Sequence, residues 1–215
     1  MLTPKESHGT ASARPIVFIV DDDASLRTAM SELLEASGFR THGYETTGDF
    51  LLNPPGDEPG CVLLDVRLPG PSGLDLQAGL QRHGINLPVI FLTGYADVPT
   101  SVRAMKAGAV DFLEKPVTRE TLLEAIRRAL DFDAKSRAAR DAAQLHQERL
   151  NVLTIREREV FDRIVDGKLN KQIADELGVG LRTVKAYRAQ LMIKLGVSSA
   201  AELGKLAGLR GPSRT

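Results

Sequence analysis

With 215 residues the chain has room for one large domain or two small ones, and its 28 Lys+Arg balance 28 Asp+Glu. The balance conceals a split: residues 1–130 carry 12 basic against 17 acidic side chains, residues 131–150 four against four, and residues 151–215 twelve against seven. An acidic front and a basic back argue for two domains with different partners, the second suited to nucleic acid. The single cysteine, Cys61, excludes a disulfide framework, and no apolar run approaches a membrane span, so a cytoplasmic protein without a membrane partner is expected. Residues 1–14 are small, polar and mixed, without the apolar centre of a signal peptide, and read as a disordered tail.

Ile16 to Val20 reads as a buried strand. Ala24 to Ala36 places Leu26, Met30, Leu33 and Leu34 at helical spacing and ends at Ser37-Gly38. Phe39 to Tyr44 is a more polar strand, hence an edge. Thr46 to Leu52 is a short helix stopped by Asn53-Pro54-Pro55-Gly56. Cys61 to Leu64 is an apolar strand ending on Asp65, followed by the open loop of Pro69, Gly70, Pro71 and Gly73 and a helix from about Leu74 to Arg82. Pro88 to Leu92 is a fourth strand, Val98 to Ala107 a helix closed by Gly108, and Val110 to Leu113 a fifth strand. Lys115-Pro116 breaks the chain before a helix that starts near Thr118. This alternation predicts a doubly wound, five-stranded parallel sheet, whose ligands bind where strands 1 and 3 diverge.

The strand ends share one edge of that sheet. Asp21-Asp22-Asp23 follow strand 1, Asp65 ends strand 3, Thr93 ends strand 4 and Lys115 follows strand 5. Taken alone, Asp65 would serve equally as a turn cap, Asp23 as a helix cap and Thr93 as a turn residue. Together they form a set: clustered carboxylates repel unless a divalent cation joins them, and oxygen-only donors at an open edge favour Mg²⁺. With a lysine and a hydroxyl alongside, such a site can stabilise charge on a phosphoryl group passing to a carboxylate.

In this motif, with its acidic pair, aspartate, threonine and Lys-Pro after strands 1, 3, 4 and 5, residues 15–130 resemble the flavodoxin-like receiver domain of two-component response regulators. The stretch from Asp97 to Pro116 is similar to the FixJ-like branch. The resemblance implies that Asp65 accepts a phosphoryl group from a cognate sensor histidine kinase. Asp22, Asp65 and the backbone carbonyl of Arg67 would ligate Mg²⁺, with Asp21 holding a metal-bound water. Thr93 and Lys115 would bind phosphoryl oxygens, and Phe112 would be the switch aromatic. Tyr95 stands two residues after Thr93, where relatives often carry His.

No Pro or Gly interrupts Val117 to Val152. Leu122, Leu123, Ile126 and Leu130 face a core, and the Ala-rich stretch beyond them, with a weak heptad ending in Leu145 and Leu150, reads as a linker helix over 131–151 continuing the last receiver helix. Four short helices follow, about Arg156 to Asp166, Asn170 to Leu177, Leu181 to Leu195 and Ser199 to Ala207. The second and third have helix-turn-helix proportions. On the third, Val184, Leu191 and Leu195 turn inward while Arg182, Lys185 and Arg188 turn out, a cationic face suited to the DNA major groove.

The runs Leu153 to Val160, Asn170-Lys-Gln-Ile-Ala174, Arg182-Thr-Val-Lys-Ala-Tyr-Arg188 and Met192 to Leu195 resemble the LuxR-type output domain over 152–209, followed by a tail at 210–215. This implies a transcription factor that binds double-stranded promoter DNA through Arg182, Thr183, Lys185, Tyr187 and Arg188. Tyr187 stands where relatives usually carry His. Resembling proteins dimerise through the phosphorylated receiver, and RNA polymerase is a further partner to consider. The chain is then a phosphoacceptor assisting its own Mg²⁺-dependent phosphorylation, and no enzyme in the ordinary sense. Two alternatives stand beside this reading. Asp21-Asp-Asp23 nearly fits the Asp-x-Asp motif of haloacid-dehalogenase-like phosphatases, with Asp21 as nucleophile, although Pro-Val-Thr-Arg follows Lys115 where that family needs an acidic pair. The output domain could instead bind RNA or a protein.

Overall fold

The computed structural model describes residues 14–95 and 97–208. Apart from Arg14, the tails expected at 1–14 and 210–215 lie outside the described residues, as does the last residue of the 152–209 segment. The elements in chain order are β1 (Ile16–Val20), α1 (Ala24–Ala36), β2 (Arg40–Tyr44), α2 (Thr47–Leu52), β3 (Gly60–Leu64), α3 (Gly73–Leu80), β4 (Val89–Thr93), α4 (Val98–Lys106), β5 (Asp111–Glu114), α5 (Arg119–Asn151), α6 (Ile155–Val165), α7 (Asn170–Leu177), α8 (Leu181–Leu195) and α9 (Ala200–Gly208). The chain divides into two compact units between Ser136 and Arg137.

In the first unit the strands form one parallel sheet in the order β2-β1-β3-β4-β5. Side chains alternate between its faces. Phe18, Val20, Val62, Leu64, Val89 and Phe91 pack with Phe50, Leu76, Leu80 and Ala104 on one side. Val17, Ile19, Cys61, Leu63, Ile90 and Leu92 pack with Leu34, Leu122 and Ile126 on the other. Helices cover both faces, so β1, β3 and β4 are buried throughout and apolar up to Thr93 at the end of β4. β2 is largely exposed, as an edge strand must be. Register then sets the functional edge: Val20 is paired with Leu64, which aligns Asp21 with Asp65, and Thr93 is paired with Glu114, so that the Lys115 N–H donates to the Thr93 carbonyl at 2.8 Å.

Local chemistry starts the helices where they are needed. Asp23 caps α1 by accepting from Ser25 and Leu26 N–H, Ser72 and Asp75 form a reciprocal capping box at α3, and Asp97 caps α4. The helix expected to run to Arg82 ends at Leu80 and tightens into a 3-10 turn over Gln81–His83. At the amino edge of the sheet Asp133 of α5 accepts the Gly60 N–H at 3.0 Å, tying the helix to the start of β3. Burial, and secondarily the charge of Asp133, push the neighbouring Cys61 thiol up to about 12, so this cysteine is an inert core residue.

The second unit encloses its own core of Val160, Phe161, Ile164, Ile173, Val184, Leu191 and Leu203. Leu150, expected as a late heptad member, is 2% exposed and belongs to this core, because the last turn of α5 packs on it. Thr154 and Glu157 form the capping box that starts α6. Gly178 and Gly196 end α7 and α8 with φ of 64° and 66°, left-handed positions that L side chains avoid. Among the described residues no helix is long and apolar enough to cross a membrane.

Candidate functional site

The carboxyl edge of the sheet gathers Asp21, Asp22 and Asp65, each offering a carboxylate oxygen, with these oxygens all within 4.8 Å of one another. Asp21 and Asp65 are buried and Asp22 is exposed. Each buried carboxylate is held twice. One oxygen of Asp21 accepts the Asp23 N–H at 3.0 Å, and one oxygen of Asp65 accepts the Arg67 N–H at 3.1 Å. Their other oxygens share the Lys115 ammonium, at 2.7 Å from Asp21 and 2.9 Å from Asp65. Burial alone would push Lys115 down. Its hydrogen bonds to the two aspartates and their charges outweigh this and hold it above its ordinary value, so it stays a cation.

The main chain around these groups is clamped. Arg27 of α1 donates to the Asp21 carbonyl at 2.5 Å. A Cβ on Gly73 would lie 2.1 Å from the Asp65 carbonyl oxygen, so only glycine lets α3 begin against the end of β3. Thr93 is 1% exposed and its hydroxyl accepts the Tyr95 N–H at 3.3 Å. Phe112 is half-buried, its ring centre 6.0 Å from that of Phe91. Asp23 takes no part in the acidic cluster, because its carboxylate is committed to capping α1. Three carboxylates of this spacing, one open to solvent, form a donor set that fits a hard, oxygen-seeking cation such as Mg²⁺.

On α8 the five residues expected at DNA separate. Arg182, Thr183 and Lys185 are exposed. Val184 and Leu191 are fully buried, and residues three and four beyond Val184 share its side of the helix. Tyr187 therefore packs in part on the core, and Arg188 is half-buried, donating to Asn170 Oδ1 at 3.1 Å. Lys194 is drawn to the buried Glu157 at 2.7 Å. Sequence reasoning does not single out Arg27, Asp133 or Glu157. The Thr154-x-x-Glu157 spacing is a capping-box signature that marks Glu157, whereas nothing local marks the other two.

Comparison with known proteins matches both units. Residues 17–127 match the response regulator receiver domain, and residues 151–207 match the bacterial regulatory proteins of the luxR family. Nodulation protein W of Bradyrhizobium diazoefficiens is 40% identical over 206 residues, covering 96% of this chain and 91% of its own length. The transcriptional regulatory protein FixJ of Azorhizobium caulinodans is 40% identical over 195 residues, covering 91% and 92%. The structure of the response regulator StyR aligns with a TM-score of 0.76 at 41% identity, covering 91% of this chain and 99% of its own. Full-length FixJ from B. japonicum aligns with a TM-score of 0.57 at 36% identity, covering 91% and 96%. The receiver match spans the same aspartates as the haloacid-dehalogenase alternative and sets that alternative aside. With one family accounting for the sheet and its acidic edge and a second for the basic helix-turn-helix, the chain belongs to the two-component response regulators, as a receiver joined to a LuxR-type DNA-binding domain that regulates transcription.

Proposed function

We propose that Asp65 takes a phosphoryl group from the phosphohistidine of a sensor histidine kinase and that this pairs two receivers and tightens binding to promoter DNA. The observation that carries the reading is the Lys115 ammonium held between Asp21 and Asp65. Two buried carboxylates sharing one lysine leave a site rich in negative charge that is also pre-equipped with a cation. An oxygen of Asp65 attacks phosphorus, the P–N bond breaks, and its electron pair stays on the imidazole. Asp22, Asp65 and the Arg67 carbonyl would ligate Mg²⁺, with Asp21 holding a bound water; the bound ion supplies positive charge against the transferring phosphoryl group. Lys115 then donates to a phosphoryl oxygen, and Thr93 donates its hydroxyl to another. The inward movement of Thr93 leaves room for Phe112 to turn in.

In the output domain Arg182, Thr183 and Lys185 enter the major groove of double-stranded promoter DNA, with Tyr187 and Arg188 on the flank. RNA polymerase is the further partner of the DNA-bound dimer, and the cytoplasm is where kinase, DNA and polymerase meet. The receiver occupies 15–130, the linker 131–151 and the output domain 152–209. Incubation with a labelled small phosphodonor and Mg²⁺, followed by selection of bound DNA fragments, tests the whole reading. Wild type should take label and select one duplex sequence, and Asp65→Asn should do neither. Label on Asp21, or selection of RNA over duplex DNA, would overturn it.

A further inference from the structure

We infer that Asn170 is a positioning residue for DNA binding: it holds the Arg188 guanidinium where it meets a backbone phosphate and not a base edge. This rests on the proposal that α8 enters the major groove. It separates the residues that read sequence from one that supplies affinity to any duplex.

Asn170 opens α7, one position late for the capping role that its residue type usually serves. The cap is Leu169, whose side chain makes no capping bond, and Gln172 takes the Leu169 N–H at 2.8 Å. Asn170 Oδ1 instead accepts from Arg188 Nη1 at 3.1 Å, joining the start of α7 to the middle of α8. A guanidinium has only donors, so the contact fixes which end of the amide faces it.

The neutral amide tethers the guanidinium without cancelling its charge. Several other cations of this unit are neutralised: Lys194 pairs with Glu157 at 2.7 Å, Arg163 with Glu176 at 3.0 Å, and Lys168 with the same Glu176. Among the described residues no carboxylate pairs with Arg182, Lys185 or Arg188. Arg182 and Lys185 stand fully out from α8, as base readers must, whereas Arg188 is half-buried toward α7. The groove beside it, of about 420 Å³, is lined by Ile164, Gly167, Lys168, Leu169, Asn170 and Arg188, with no carboxylate. A tethered, fully charged fork in such a groove suits a phosphate oxygen, and the tether lowers the rotamer entropy lost on binding.

The full-length protein, phosphorylated with a small phosphodonor and Mg²⁺, is titrated onto its selected operator and onto a non-cognate duplex of equal length over a salt series. Arg188→Ala should weaken both by the same factor and lower the slope of log affinity against log salt by about 1. Asn170→Ala should weaken both about 3–10-fold, keep their ratio, and add little in the Arg188→Ala background. Asn170→Asp keeps the acceptor but cancels the charge, and should match Arg188→Ala. A reduced operator preference in either Ala variant, the result expected for Lys185→Ala, would make Arg188 a base reader and overturn the assignment. Wild-type binding by Asn170→Ala would overturn the positioning role alone. A wild-type protein that prefers no duplex overturns the DNA reading and this inference together.

Discussion

The Arg67 guanidinium lies over the Tyr95 ring, 4.2 Å from its centre. One residue follows Asp65 by two positions and the other follows Thr93 by two, so the contact bridges the loops on either side of the acidic site. Nearby Asp97 is held below its ordinary carboxyl value, chiefly by hydrogen bonds from Thr100 and to a smaller degree by Arg67. An exposed cation–π contact contributes about 0.5–1 kcal/mol, enough to keep the pair populated without locking it. Water attacking an acyl phosphate on Asp65 must approach in line, and bulk beside that line hinders it. Tyr95→Ala should therefore shorten the lifetime of the phosphorylated protein, measured as loss of label after donor removal. Equal lifetimes in wild type and Tyr95→Ala would remove the steric argument.

Gly73→Ala tests the clamp on Asp65. The added Cβ would meet the Asp65 carbonyl oxygen at 2.1 Å and Leu64 Cγ at 3.0 Å. The first contact is with backbone, so no rotamer change relieves it, and α3 or the end of β3 must move. The expected cost is about 3 kcal/mol, the upper end of overpacking effects. Chemical denaturation should show this loss, and labelling of Asp65 should slow even in the folded fraction. Wild-type stability would mean that the start of α3 shifts freely.

Glu157 should give the output domain an acid-labile component. Its buried carboxylate accepts from Lys194 Nζ and from the Thr154 N–H, both at 2.7 Å, and these bonds, Lys194 first, hold it below its ordinary value of 4.5. A carboxyl depressed in the folded state stabilises the fold fully above pH 4.5, and this contribution is lost as pH falls through the lower folded value. Glu157→Gln should cost about 1–2 kcal/mol at neutral pH and remove that part of the pH dependence. Unfolding of the helical signal at a series of pH values reads this out; a pH profile unchanged by the substitution would contradict it.

Phosphorylation should convert a monomer to a dimer. Val98, Val102 and Met105 on α4 are 75%, 44% and 46% exposed, an apolar strip beside half-buried Phe112. Ala109, beyond the end of α4, is 7% exposed and lies in the core. Sedimentation with and without phosphodonor should show the mass double, and Val102→Glu should block this while leaving Asp65 labelling intact. Two joined output domains would match half-sites about one helical turn apart. Constant mass with rising DNA affinity would indicate release of a masked output domain instead.

The sequence by itself determined the element order, the parallel sheet, the set of residues along its carboxyl edge and the helix-turn-helix. Apolar periodicity and Gly/Pro punctuation specify strands and helices locally, and parallel topology then brings every strand end to one side. Only the tertiary structure decided which of those residues touch. Lys115 reaches Asp21 across 94 positions and Asp65 across 50, and Asp133 reaches Gly60 across 73. Such contacts depend on strand register and rotamer, which a repeat of 2.0 or 3.6 residues does not encode. The same holds on α8, where charge and spacing put Arg188 outward with Arg182 and Lys185. The structure places Arg188 on the flank because the crossing of α7 over α8 brings Asn170 within hydrogen-bonding distance of it.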